Sequence, residues 1–188
     1  MLEETHLRDI LLDIPLESEM YLVHRCVSAR YLQSLASTLG TELEDNRYSK
    51  QKTLKGLYAA YQGATATAEV EDYIKKKAYI SDKVKLNLSI FTFQLKTENV
   101  LDLTSLEILG FLCTNVQEIT GNWRMMNEMD GEAPTQMLGR LAYESGRIDA
   151  IRYPSRVHHH GVNVLVFTER LGYEIVALDL PDNFPEQL

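Results

Sequence analysis

The sequence predicts an α+β fold: a single domain with a mixed, largely antiparallel central sheet flanked by helices. Three observations predict it. The chain has 188 residues, of which 45% are hydrophobic, enough for one core without disulfides or metals. Apolar runs of strand length recur along it, separated by stretches of helical periodicity. The two kinds of segment do not alternate strictly, which disfavours a regular βαβ architecture.

Leu2–Leu16 mixes acidic and apolar residues and predicts a short amphipathic helix. "MYLVHRCV" predicts a strand, since it is apolar and free of breakers. "SARYLQSLASTLG" predicts a helix capped by Ser28 and ended by Gly40. "TELEDNRYSKQKTLKG" is polar and predicts a loop. "LYAAY", closed by Gly63, predicts a buried strand, and "ATATAEVEDYIKKKAY" a helix with Val70, Tyr73, Ile74 and Lys77 on one face. "KVKLNLSIFTF" alternates from Val84 to Ile90 and shifts phase at Phe91, which predicts a strand with a bulge or a change of face. "NVLDLTS" predicts a further short strand. "LEILGFLCTNVQEIT" predicts helix, broken by the following Gly-Asn-Trp. In "GEAPTQMLGRLAYESG", Met137, Leu138, Leu141 and Ala142 sit at helical spacing and Gly146 supplies the cap. "IDAIRY" predicts a strand ended by Pro154, and "NVLVF" and "YEIVALDL" the last two strands.

Composition excludes several functions. The formal charge of −8 opposes general attraction to nucleic acid or to an anionic membrane, so an anionic ligand needs a local cluster of cations. No apolar run reaches the roughly twenty residues of a membrane span. The acidic start lacks the basic region of a signal peptide. Cys26 and Cys113 stand at no metal-ligand spacing, which predicts a reduced, cytoplasmic chain. There is no Walker loop, GxGxxG, GxSxG or HExxH.

The polar residues that remain are individually unremarkable. Arg47 and Tyr48 stand in "DNRYS", Tyr58 in "GLYAA", Glu69 in "ATAEV", and Ser155 and Arg156 in "RYPSR". Arg25 and Arg30 stand in "HRCVSARY". A loop arginine is usually solvated, a strand tyrosine usually core. A glutamate early in a helix suits its dipole, and a serine after proline suits a turn. Arg25 is the exception, because a charge inside an apolar strand must be paired or face a cleft. Successive strand residues point to opposite faces, so His158, His159 and His160 cannot together face one ion from a strand. No metal site is predicted.

As a set, these segments resemble the RES domain, the toxin half of bacterial RES–Xre toxin–antitoxin pairs. The resemblance rests on "HRCVSARY", "DNRYS", "GLYAA", "ATAEV", "VLDLTS" and above all "AIRYPSRVHHHGVNVLVF", in the family's order from about Tyr21 to Phe167. It departs from the family in "DNRYS", where Asp45-Asn46 replaces Gly-Gly and Tyr48-Ser49 replaces Trp-Asn. The resemblance implies one RES domain over 1–188, with a motif-bearing core at about 21–170. Outside that core lie a 1–20 extension and a 171–188 strand and tail; the extension and the tail "LPDNFPEQL", which have no catalytic signature, are assigned to homodimerisation or partner docking. It implies an ADP-ribosyltransferase-like fold, an Xre-type helix-turn-helix antitoxin as partner, and NAD as substrate rather than cofactor.

Carried over by position, the resemblance makes Glu69, Arg47, Tyr58 and Ser155 catalytic and gives Arg25, Arg30, Tyr48 and Arg156 to NAD binding. The chemistry is coherent. Arginines grip a diphosphate through paired donors. A carboxylate stabilises the positive charge that builds on the ribose as the glycosidic bond breaks. Tyr58 or Tyr48 suits stacking on nicotinamide, and Ser155 suits a phosphate or the nicotinamide amide. The sequence leaves open hydrolysis or phosphorolysis of NAD, ADP-ribosyl transfer to a protein or nucleotide, and a catalytically silent binding module.

Overall fold

The computed structural model describes residues 1–28, 43–78, 86–169 and 173–177. The predicted helix after Ser28, Arg30, the start of "KVKLNLSIFTF" and the tail beyond Ala177 lie outside the described residues. The elements in order are α1 (Glu4–Asp13), β1 (Glu17–Ser28), β2 (Gly56–Ala60), α2 (Gly63–Ala78), β3 (Leu88–Asp102), α3 (Leu106–Phe111), α4 (Val116–Thr120), α5 (Trp123–Asp130), α6 (Pro134–Glu144), β4 (Ala150–Pro154), β5 (Val162–Phe167) and β6 (Tyr173–Ala177).

The α+β expectation holds. Strand β3 pairs with β1 and β6 antiparallel and with β4 parallel. β4 pairs with β5, β5 with β2, and β2 with β1, all antiparallel. The pairings β1–β2–β5–β4–β3–β1 close into a ring, with β6 added to β3. Strand side chains alternate between faces, so the ring has an inner and an outer surface. Val23, Leu57, Ala59, Phe91, Phe93, Leu95, Val164 and Val166 pack together on the inner one. Leu165, Phe167, Ile151 and Tyr153 face outward into a second core with α1, α3, α4 and α6. The predicted N-terminal extension is therefore integral: Leu7 and Leu11 are fully buried, and Arg147 Nη1 donates to the carbonyls of Leu11 and Ile14.

Some expectations are corrected, and one that was left open is decided. "KVKLNLSIFTF" and "NVLDLTS" are parts of one fifteen-residue strand, β3. Its polar middle still alternates, with Leu95 and Thr97 buried and Lys96 and Glu98 exposed. The phase shift at Phe91 is a change of face and not a bulge, since Cys26↔Ile90 and Arg25↔Phe91 are consecutive pairs. The bulge lies further on, between Glu19↔Thr97 and Glu17↔Val100, where three steps along β3 meet two along β1. In α2 the face packed on the sheet is Ala66 and Val70, against Cys26, Ala60 and Leu88. Tyr73 and Lys77 are exposed. Small residues on both sides let the helix approach closely.

"LEILGFLCTNVQEIT" folds as two short helices. Ser105 caps α3 and Asn115 caps α4, and Cys113 between them takes a positive φ of 46°. Gly121 ends α4 as predicted, but the chain resumes helix at Trp123. α6 ends as predicted, with Gly146 at φ 76°.

Candidate active site

Most of the sequence-selected residues converge on the outer face of the ring, beside α2. Asn163 on β5 pairs with Ala60 on β2 and with Tyr153 on β4. Directly paired residues share a face, so these three form one row. Ala66 packs against Ala60. Glu69, three residues on, lies on nearly the same side of α2 and reaches the row.

Glu69 Oε1 accepts from the Ser155 hydroxyl at 2.7 Å and from Asn163 Nδ2 at 2.7 Å. Glu69 Oε2 accepts no hydrogen bond from a described residue. Ser155 is itself held: its Oγ accepts from the backbone N–H groups of Val157 and His158, at 3.2 and 3.0 Å. That is a local serine turn, as expected after proline. The same turn is fastened to the start of α2, where His158 Nδ1 and Thr65 Oγ1 are 2.7 Å apart. Gly161 is required by this closeness: a Cβ there would lie 2.6 Å from Thr65 Oγ1 and 2.9 Å from His158 Nδ1. His159 and His160 stack edge to face on one another. Among the described residues no group of three or more His, Cys, Asp or Glu could hold a metal.

Arg47 borders the same site. Its Nη1 donates to the carbonyls of Ile119 and Gly121, at 2.8 and 3.0 Å. These carbonyls end α4, the favourable end of a helix for a cation. Its other donors make no hydrogen bond to a described residue. Burial lowers the Arg47 pKa, while the neighbouring Tyr48, Tyr153 and Glu69 favour its charge and Arg156 opposes it. Exposed Arg156 is thus close enough to Arg47 for the two charges to repel. Two arginine forks thus border one another, and the Glu69 carboxylate lies beside one of them, Arg47.

Tyr58 is half-buried on β2, facing the same side as Leu165. Its hydroxyl accepts from Tyr48 N–H at 3.4 Å and lies 3.3 Å from Ser49 Oγ. Burial pushes its pKa up to about 12, so it is a neutral phenol at physiological pH.

The structure does not place two of the binding residues at the site. Tyr48 is 0% exposed and its ring packs on Tyr153 at 4.6 Å; it fills the core and offers no face to a ligand. The "polar" loop is pinned by this tyrosine from inside. Arg25 shares the inner face with Val23 and Val27, whereas Cys26 between them faces α2. It therefore projects to the opposite side of β1 from Glu69. Burial lowers its pKa to about 10. Arg30 is outside the described residues.

Asn163 was not among the residues selected from sequence, although a signal was present. An amide inside "GVNVLVF" is the only non-apolar side chain of an otherwise buried strand, and such a group is kept only where it is bonded.

The sequence pattern of the RES domain matches residues 22–182. The chain belongs to the RES-domain family. No functionally curated protein sequence matches it. Seven chains of solved structures do. One, from the M. tuberculosis MbcT–MbcA toxin–antitoxin complex, superposes with a TM-score of 0.67 at 16% identity, over 92% of this chain and 92% of that one. The likeness extends to the fold. In this RES domain, Ser155 is bonded to Glu69, and Arg47 lies near both Glu69 and Tyr58.

Proposed function

We propose that this RES domain is the toxin of a type II toxin–antitoxin system and degrades NAD by cleaving its nicotinamide–ribose bond. Family membership and the likeness to a chain of a toxin–antitoxin complex support the toxin reading. The observation that carries the chemistry is the Glu69 carboxylate, anchored through Oε1 with Oε2 open, beside Arg47.

NAD brings two phosphates, and the free donors of Arg47 with Arg156 suit them. As the C1′–N1 bond breaks, its electron pair passes to the pyridinium nitrogen and nicotinamide leaves neutral. No general acid is needed. Positive charge develops on the ribose, and Glu69 Oε2 faces it with a fixed negative charge, an interaction stronger in the transition state than in the ground state. Water or phosphate then bonds to C1′, and water gives up its proton to solvent. Tyr58 is the remaining aromatic for the nicotinamide ring. An Xre-type antitoxin covers the site in the resting cell. It also carries any contact with DNA, in keeping with the −8 charge here.

The test is NAD consumption by the purified chain, with and without phosphate, beside Glu69→Ala. The expected outcome is nicotinamide release that falls by a factor on the order of 10² or more in the variant, with NAD affinity nearly retained. Full turnover by Glu69→Ala would overturn the assignment, and label transfer to a macromolecule would make the chain a transferase instead.

A further inference from the structure

Asn163 has no place in the chemistry so far beyond a hydrogen bond, yet its setting is costly. It is 4% exposed in a strand whose neighbours Val164, Leu165, Val166 and Phe167 are all buried hydrophobics. An amide there forfeits hydration that an aliphatic residue would not need. The fold meets this cost at a position where the amide's donor reaches Glu69 Oε1 at 2.7 Å.

The other donor to the same oxygen, Ser155, comes from a separate element and is oriented by its own turn. Two donors from different directions on one oxygen fix both the position and the rotation of the carboxylate. One donor alone would leave it free to turn about its terminal bond and exchange its oxygens. The register enforces the arrangement. Asn163 is flanked in its row by Ala60, whose small side chain admits α2, and by Tyr153, whose ring closes the other side.

We infer that Asn163 is a positioning residue: with Ser155 it holds Glu69 by Oε1, so that Oε2 alone is presented to the developing charge on the ribose. The inference rests on the NAD-cleaving reading above. Asn163 touches no reacting atom and acts only through Glu69. Its loss therefore lowers the rate of the chemical step and leaves substrate binding in place.

The experiment compares wild type, Asn163→Leu, Asn163→Asp, Glu69→Gln and the double variant Glu69→Gln/Asn163→Leu in steady-state NAD cleavage. Asn163→Leu keeps the volume and suits the apolar strand. Asn163→Asp keeps the shape and removes the donor, and Asn163→Ser, small and uncharged, serves where Leu does not fold, with the same fall in kcat expected. Expected for Asn163→Leu is a kcat lower by a factor on the order of 10² with KM unchanged. Asn163→Asp, which sets a carboxylate against Oε1, should fall at least as far. In the Glu69→Gln background Asn163→Leu should add nothing, because the two side chains form one unit. An active wild type with Asn163→Leu at full kcat, or an equal loss in both backgrounds, overturns the inference and leaves the NAD-cleaving reading standing. A wild type that cleaves no NAD overturns that reading, and the inference with it.

Discussion

Arg47 is held from outside its own loop: the carbonyls of Ile119 and Gly121 that take its Nη1 lie more than seventy residues away in the chain. With Nη1 spent on those carbonyls, the other donors remain for an anion. Arg47→Lys keeps the charge but has too few donors, in the wrong geometry, to hold the α4 carbonyls and a phosphate together. A hydrogen bond to a charged group contributes about 1.5–3 kcal/mol. The expected outcome is a KM for NAD raised roughly 10- to 100-fold, read from initial rates over a range of NAD concentrations. Wild-type KM in Arg47→Lys would remove Arg47 from the binding of substrate. Arg47 is legible by type within "DNRYS", though its distant partners are not; Tyr48 and Arg25 also match by type and motif position, but burial and strand parity place one in the core and the other on the far face. Parity was readable in the sequence, since Val23, Arg25 and Val27 alternate with Cys26; the burial of a tyrosine inside a polar loop was not.

At the scale of elements, the placement of Arg47 depends on how its loop meets α6. A Cβ on Gly139 would lie 1.9 Å from the Tyr48 carbonyl oxygen, and backbone cannot yield as a side chain can. The loop is otherwise well supported. Asp45 Oδ1 accepts from Gln51 N–H, Asp45 Oδ2 accepts from Asn127, and Gln136 Nε2 donates to the Asn46 carbonyl. The residues that depart from the family's Gly-Gly thus serve as turn supports. Gly139→Ala must displace the loop or α6, so it should cost on the order of 1–3 kcal/mol of stability, as overpacking does, despite the better helix propensity of alanine. Chemical denaturation measures the first effect and NAD cleavage the accompanying shift of Arg47. Sequence periodicity identified α6 and nearly all strands, because each buries a regular stripe. It divided β3 in two, since its polar middle resembles a loop until both flanking strands are known. It also merged α3 with α4, because a lone cysteine in left-handed conformation leaves no mark in the pattern.

Across the whole molecule, three tyrosines from three elements meet at the base of the site, Tyr48 from the loop and Tyr153 from β4 buried behind it and Tyr58 from β2 bordering it. Burial raises the pKa of each, Tyr58 from 10.0 to about 12 and the other two further. The hydroxyl of Tyr48 has no hydrogen-bond partner among the described residues. Below pH 10 the tyrosines are protonated in folded and unfolded chains alike, and their contribution to stability does not change with pH. Above it the unfolded chain releases these protons while the folded one keeps them, so rising pH favours unfolding. At about 1.4 kcal/mol per pKa unit, Tyr58 alone implies a loss of roughly 3 kcal/mol between pH 10 and 12. The expected outcome is a steep fall in denaturation midpoint above pH 10, with the phenolate absorbance of these three, over and above that of the seven tyrosines outside the cluster, appearing only as the chain unfolds. Tyr48→Phe removes one ionising group and a hydroxyl with no described partner. It should leave stability at pH 7 equal or higher and make the alkaline fall shallower. If Tyr48→Phe instead lowers the phenolate absorbance of the folded chain near pH 10, Tyr48 is not sealed in the core, and the packing of loop, sheet and α6 that carries Arg47 is not as described.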